Sequence, residues 1–406
     1  MKISLKKKIT IEDIYIFLVA VYLFWETISN GTGFSNDVRS KIYTINQIVW
    51  NTFRIFVFFK ILVQLQKSDY KIIVLLVFAF LSSYYTSSYW MSMIIWVLAG
   101  TKYVDLKKIV KAIYYAELCA LILVIVLCVL GIIDNTIIIE QGGRIRQSLG
   151  FNHPNALAAE VFQLETMFIF LHDRRINKLN AIVLTIISVV TYVVSRSNTV
   201  ALLSIFMICF VFLLSEIYKA KRRKKKNIWV RIYEAAFKQM KYISLVIPLI
   251  ATAFILYLSQ KNGEGTLYSR ASQAFNYLQY YGLSFWGQPL QINNGADNFY
   301  LQNSKLYTLD NSYLYLLIGF GTIFFVLFLF AQIALIYRSV KQKEYTVVTI
   351  LILYMIYGIT ETMMIRFIYN FSILFMASLI WKYPLRTGDR INENIIYSSR
   401  KPVKRS

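Results

Sequence analysis

The sequence predicts an all-α, polytopic membrane protein of about twelve transmembrane helices, and three observations carry that prediction. Of the 406 residues, 57% are hydrophobic and only 16% charged, against roughly 45–50% and about 25% in soluble domains. Apolar runs of spanning length recur along the whole chain. Basic residues gather between alternate runs, as they do in the cytoplasmic loops of membrane proteins. The formal charge of +23 therefore reads as topology and not as a nucleic-acid surface. Cys119, Cys128 and Cys209 sit inside apolar runs, away from any His or Asp cluster, so neither a disulfide framework nor a zinc site is expected.

Lys2, Lys6, Lys7 and Lys8 precede an apolar run over Ile11 to Ile28 that lacks a small-residue cleavage site, so the first span stays in the protein and the N-terminus is cytoplasmic. A second span, about Ile42 to Leu65, carries Asn46, Gln47, Asn51 and Arg54, which turns one face into the bundle. Ile72 to Gly100 is long for one span, and the polar break Ser82 to Ser88 divides it into two short ones. Ala112 to Ile133 crosses outward, Asp134 to Ser148 is an outer loop, and Leu149 to Leu171 returns. Leu179 to Val194 and Thr199 to Ile217 form a hairpin whose short connection, Ser195 to Asn198, holds Arg196 at the outer boundary. The basic run Lys219 to Asn227 marks the inside, as a topology anchor more than a site for anionic lipid.

Tyr242 to Leu258 crosses outward into the longest polar segment between spans, 259–311. Within it Leu267, Ala271, Ala274, Phe275 and Leu278 recur at helical spacing beside Ser269, Arg270, Gln273 and Asn276. That pattern predicts an amphipathic helix on the membrane surface, followed by the turn FWGQP. Ser312 to Tyr337 crosses inward, Thr346 to Thr360 outward, Glu361 to Arg366 is a tight outer turn, and Phe367 to Trp381 crosses back to a basic tail. The chain is thus one transmembrane domain over 1–406, with an extracellular loop at 259–311 and a cytoplasmic tail at 382–406. Thirty-three of the 44 Lys and Arg fall on inner segments, two lie in the second span, and nine remain outside: Arg39, Lys41, Arg144, Arg146, Arg196, Lys261, Arg270, Lys305 and Arg366.

The rule that sets this topology depletes the outer face of positive charge, so its arginines need individual reasons. Arg144, Arg146, Arg196, Arg270 and Arg366 are planar, forked donors suited to phosphate oxygens. The alternative is that they bind lipid headgroups or pair with Glu140, Glu264 or Glu361. In GGRIRQSLGFNHPN, Gly142 to Asn155, Pro154 fits the first turn of a helix and Asn152 a cap, so free N–H groups face outward beside Arg144 and Arg146. Such an end attracts anions and disfavours protonation of His153. A neutral His153 could accept a proton from a sugar hydroxyl; a capping role suits it as well. Asp310, followed by Asn311 at the mouth of a span, and Glu361 at the end of another are further candidates for base or sugar ligand. No acidic pair in the outer segments has a metal-binding arrangement, so no metal is expected. There is no phosphate-binding glycine loop or nucleotide domain either, so no soluble cofactor is expected. An outward-facing transferase must then use a donor activated within the membrane, and a polyprenyl diphosphate sugar supplies the anion these arginines would hold.

RIRQSLGFNHPN before a membrane helix, SRSN at a tight outer hairpin, an arginine at the start of a loop helix with FWGQP after it, and LDNSYLYLLIGFG entering the next span together resemble the O-antigen polymerase and ligase superfamily. The likeness is to the capsule and exopolysaccharide repeat-unit polymerases of low-GC Gram-positive bacteria, and it runs from about Asp105 to Asn370. It implies a GT-C-like, metal-independent, inverting glycosyltransferase of the plasma membrane. Such an enzyme moves a growing glycan from undecaprenyl diphosphate to the non-reducing end of a lipid-linked repeat unit at the outer face, with a flippase and a chain-length regulator as partners. By motif, Arg196 and Arg270 match the arginines of the family that hold the diphosphate, and Arg144, Arg146 and His153 match its R-x-R to HPN segment. Asn155, Asn311 and Arg366 are expected to touch substrate. The ligase branch has His-Asn where this chain has Asp310-Asn311, which favours a polymerase. A transporter or flippase is the rival of another class, resting on Arg54 and on Glu160, two turns beyond His153.

Overall fold

The computed structural model describes residues 9–66, 69–86, 88–140, 143–173, 176–222, 228–259, 266–290 and 309–381. It is a helical membrane protein with one small β-hairpin. The helices, in order, are α1 (Ile11–Gly31), α2 (Asn36–Gln64), α3 (Tyr70–Thr86), α4 (Trp90–Gly100), α5 (Leu106–Val129), α6 (Pro154–His172), α7 (Lys178–Ser195), α8 (Asn198–Arg222), α9 (Ile228–Ser259), α10 (Thr266–Tyr281), α11 (Ser312–Tyr315), α12 (Gly321–Gln342), α13 (Tyr345–Thr360) and α14 (Ala377–Trp381). Strands β1 (Ile137–Ile139) and β2 (Ile145–Gln147) stand between α5 and α6, antiparallel, with Ile138 opposite Arg146. Five stretches are long and apolar enough to cross a membrane: Leu106–Val129, Lys178–Ser195, Asn198–Ile217, Arg231–Ser259 and Ser312–Gln342.

Local chemistry sets several helix ends. Thr10 and Asp13 form a reciprocal cap on α1, Asp105 caps α5, and Asn177 with Asn180 caps α7. The divided 72–100 run is two short helices, α3 and α4. Arg196 ends α7 in the left-handed region, φ 52°, its N–H closing onto the Tyr192 carbonyl at 2.7 Å. Interior contacts bury α6 and α13 on almost every face, so these two helices form the centre around which the others pack.

The turns sort into two ends of the bundle. At one, Gln64 donates to Glu12 at 3.1 Å, Lys60 to the Lys102 carbonyl at 2.7 Å, and the Trp381 indole to Thr101 at 3.0 Å. At the other, the Gly33 N–H reaches the Gly150 carbonyl at 2.8 Å, so the α1–α2 turn meets the segment before α6.

Four expectations need correction. The loop 134–148 holds the β-hairpin, because Ile137 to Ile139 and Ile145 to Gln147 pair across the Glu140–Arg144 turn, where Glu140 N–H meets the Arg144 carbonyl at 3.0 Å. The amphipathic helix forms as α10, but its inner face of Ala271, Ala274 and Tyr277 is buried against protein, and Arg270 turns inward with it. The single span from Ser312 is broken: α11 runs into a π-helical stretch, Leu316–Phe320, before α12 starts at Gly321.

That break has a partner. Residues 282–290 dock on it, with Gln288 N–H on the Gly319 carbonyl at 2.9 Å and Thr322 N–H on the Ser284 carbonyl at 2.9 Å. Gly287 and Gly321 both have positive φ, and a Cβ on Gly321 would lie 2.4 Å from the Gly287 nitrogen. Only glycine permits this approach of backbones. Trp286 stacks on Tyr85 at the end of α3. The rest of the long loop, 260–265 and 291–308, lies outside the described residues, as do Gly142, Glu264, most of the basic run at 219–227 and the tail from 382.

The fourth correction concerns the last span. Glu361 to Arg366 is no exposed turn: Thr362–Ile365, Phe367–Tyr369 and Phe371–Met376 are successive 3-10 turns, nearly all buried. The three turns are joined through non-helical residues at Arg366 and Asn370. Backbone groups freed at these breaks need partners there. Gln163 of α6 supplies two: its amide donates to the Ile368 carbonyl at 2.7 Å and its oxygen accepts the Phe371 N–H at 2.8 Å. Asn370 supplies the rest, donating to the Met364 carbonyl at 2.6 Å and accepting from the Ser372 N–H at 3.1 Å.

Candidate functional site

The β-hairpin presents its two arginines to one carboxylate. Glu140 accepts from Arg144 Nη1 at 3.3 Å and from Arg146 Nη1 at 2.9 Å. Both guanidiniums also cap the end of α7: Arg146 Nε donates to the Ser195 carbonyl at 2.9 Å, and Arg144 Nη2 donates to the Arg196 carbonyl. Helix ends leave carbonyls without intrahelical partners, and cations there are favoured. The hairpin is thereby fastened to the α7–α8 turn.

Helix α6 begins beside it, but its cap is His153 and not Asn152. The His153 Nδ1 accepts the Asn155 N–H at 3.0 Å, which requires a ring unprotonated at that nitrogen. The enclosing protein first, then the charges of Arg146 and Arg270, push the His153 pKa down to about 4. The imidazole is neutral at physiological pH, as expected from its place, yet the nitrogen facing the helix is already engaged.

Asn155, the next residue but one, joins the two halves of the site. Its oxygen accepts from Arg146 Nη2, while its amide donates to Glu361 Oε1 at 2.9 Å. On the far side, Arg270 of α10 donates from Nη2 to the same Glu361 oxygen at 3.2 Å and from Nη1 to the Thr360 carbonyl at 2.5 Å, and its Nε lies 3.4 Å from Asp310. Asn311 caps α11, accepting the Leu314 N–H at 2.8 Å and donating to the Ile359 carbonyl at 2.8 Å. Ser312 donates to the Glu361 carbonyl at 2.6 Å. Residues from the hairpin, α6, α10, α11 and α13 thus form one chain: Glu140, Arg144, Arg146, Asn155, Glu361, Arg270 and Asp310.

Two features of this chain govern its chemistry. It is balanced, with Arg144, Arg146 and Arg270 against Glu140, Asp310 and Glu361, so an incoming anion would have to exchange places with a carboxylate. And Glu361, 6% exposed, is pushed up to about 7, by burial first and by Asp310, against the opposing pull of Arg270 and Arg146. The Arg270 guanidinium, despite its burial, is held more firmly charged by Glu361 and Asp310. Next to Glu361, the buried hydroxyls of Tyr357 and Thr360 have no hydrogen-bond partner among the described residues. Unpaired buried hydroxyls mark places where a ligand or water completes the bonding.

Arg196 and Arg366 stand apart from the chain. The Arg196 guanidinium lies 5.7 Å over the Tyr192 ring, and among the described residues it has no carboxylate within ion-pair distance. Arg366 does not join that chain: it stacks 3.9 Å over Trp90, which in turn stacks on Tyr315, and its buried Nε has no hydrogen-bond partner among the described residues. Among the described residues no group of three or more His, Cys, Asp or Glu gathers in a metal-binding arrangement. Sequence reasoning named Glu140 only as a possible partner and passed over Ser195, Gln163 and Glu117. Gln163 and Glu117 carried a signal, since polar residues in apolar runs of a membrane protein turn inward.

No protein-family model, curated protein or solved structure matches the chain significantly.

Proposed function

We propose that this protein is an outward-facing glycan polymerase that joins lipid-linked repeat units, using a polyprenyl-diphosphate-bound glycan as donor. The observation that carries the reading is the link that Asn155 and Glu361 make between arginines and acids of four separate elements, the hairpin, α10, the start of α11 and the end of α13. Acceptor-hydroxyl activation needs a base whose pKa lies near the working pH. Glu361, at about 7, meets that demand better than His153, at about 4, which reassigns the base from the histidine to the glutamate. Tyr357 and Thr360 offer hydroxyls to orient a sugar.

In this scheme the acceptor hydroxyl gives its proton to the Glu361 carboxylate as its oxygen attacks the anomeric carbon. The bond from that carbon to the diphosphate oxygen breaks, the configuration inverts, and polyprenyl diphosphate departs. Arg196, free of carboxylates, and the N-terminus of α6 are first to meet the diphosphate, and Arg144, Arg146 and Arg270 shift from their acids to complete its neutralisation. The site faces outward and both termini inward by the distribution of basic residues.

The test is made in cells. Arg196→Ala and Arg270→Ala are expected to reach the membrane and to leave single repeat units on the lipid carrier; polymer of normal length in both would overturn the diphosphate role.

A transporter or flippase is the second reading. It is favoured by the carboxyl groups of Glu117, Glu160 and Glu165, all buried within the bundle, and by a last span interrupted beside two of them. Broken spans with buried charge are the usual place for transported ions.

A further inference from the structure

The polymerase scheme leaves one group of buried acids unused. Glu160 lies on α6 about 10 Å along the helix from His153, fully buried, and among the described residues neither of its carboxyl oxygens has a hydrogen-bond partner. Glu117 of α5, also fully buried, is close enough for the two charges to interact. Its oxygens each accept from Gln163 Nε2 at 2.8 Å. Tyr354 of α13, paired at 3.2 Å with Thr166, and Tyr369 of the last span lie near enough to interact with Glu160, and Tyr369 is also within reach of Arg366. Among the described residues no Lys or Arg forms an ion pair with either acid.

An isolated buried carboxylate is among the most costly groups a protein can hold, and acids within spans are normally paired. Two together, one with both oxygens bare, require a positive species between or beside them. A divalent ion would need about six oxygen ligands, and among the described residues no third acid joins this pair. We propose that Glu160 and Glu117 bind one monovalent cation, a proton or a sodium ion, within the bundle.

The position gives such an ion leverage. Glu117 orients Gln163, and Gln163 holds both sides of the break at Ile368 and Phe371. Occupancy of the acid pair therefore bears on the packing of the broken span, whose outer end is Glu361. The inference stands apart from the polymerase reading, because it concerns binding and not chain growth.

The experiment uses full-length protein in lipid nanodiscs, measuring equilibrium binding of radiolabelled sodium and, on the same samples, the infrared band of a protonated carboxyl group. If sodium is the ligand, the wild type binds it saturably, Glu160→Gln loses that binding, and Glu216→Gln, on the exposed Lys219 pair, keeps it. If a proton is the ligand, sodium does not bind, and the protonated-carboxyl band, to which Glu361 also contributes near pH 7, is weaker in Glu160→Gln than in the wild type. Should Glu160→Gln fail to reach the membrane, Glu117→Gln is compared in the same way. A wild type with neither saturable sodium binding nor a protonated carboxyl overturns the proposal, as does a band and binding unchanged in the variants.

Discussion

Arg270 on α10 and Glu361 at the end of α13 meet with Nη2 3.2 Å from Oε1, in a setting where Glu361 is almost wholly buried. Removing one partner of such a pair leaves the other charge uncompensated, at a cost of about 3–5 kcal/mol unless it takes up a proton. Arg270→Ala is therefore expected to keep Glu361 protonated at neutral pH and to abolish its use as a base. Arg270→Lys keeps the charge but not the three-way contact with Thr360, Asp310 and Glu361, and should retain a fraction of activity. Polymer yield at equal protein level distinguishes these outcomes.

The pH dependence follows from the same carboxyl. A base must be unprotonated, so with Glu361 at about 7 the rate should rise through pH 7 and level off above it. The stability sign is opposite. The folded carboxyl holds its proton above the ordinary glutamate range, so from about pH 4.5 to 7 the folded state binds more protons and this group's contribution to stability falls as pH rises. A rate already level at pH 5 would point to His153, at about 4. The rate profile of the wild type beside Glu361→Gln makes the distinction.

Asn155 is the bridge between the two arginine groups. Asn155→Ala removes both bonds and should lower polymer formation by about 10²-fold, the usual scale for one positioning contact. Asn155→Asp sets a second acid against Glu361 and should be worse. Activity of Asn155→Asp equal to that of the wild type would argue against any role for this contact.

The helix start at Pro154 and the helix α10 were legible in the sequence because each rests on local chemistry, a proline and a periodicity, although the cap is His153 and not Asn152. The β-hairpin was not, since Ile137 to Ile139 and Ile145 to Gln147 are short apolar pieces whose pairing depends on a turn read as plain loop. Arg270 reads as part of the polar face of α10, yet it lies four residues before Ala274 and seven before Tyr277 and so shares their buried stripe. The last span reads as an ordinary apolar helix; its 3-10 course depends on Gln163, some two hundred residues away in sequence, and no local signal betrays that. Arg366, grouped in the sequence with the other arginines as a phosphate donor, is kept from Glu361 by the buried 3-10 turn between them and stacks on Trp90.

Two backbone features can be tested through stability. Gly321→Ala places a Cβ against the Gly287 nitrogen in a conformation with φ 86°, and should cost about 1–3 kcal/mol or more and undock 282–290. Limited proteolysis within that segment reads the change. Gln163→Leu strands the Ile368 carbonyl and the Phe371 N–H, at about 1–3 kcal/mol each, and should lower the thermal midpoint in detergent; an unchanged midpoint would mean the span does not depend on this side chain.

The central claim is tested most directly by reconstituting the purified protein in vesicles with lipid-linked repeat units confined to the leaflet that the Arg196 end of the bundle faces. The account predicts chain growth on the lipid carrier by the wild type, without added metal or nucleotide, and none by Glu361→Gln. Movement of repeat units between leaflets with no chain growth would contradict it and leave the transporter reading in its place.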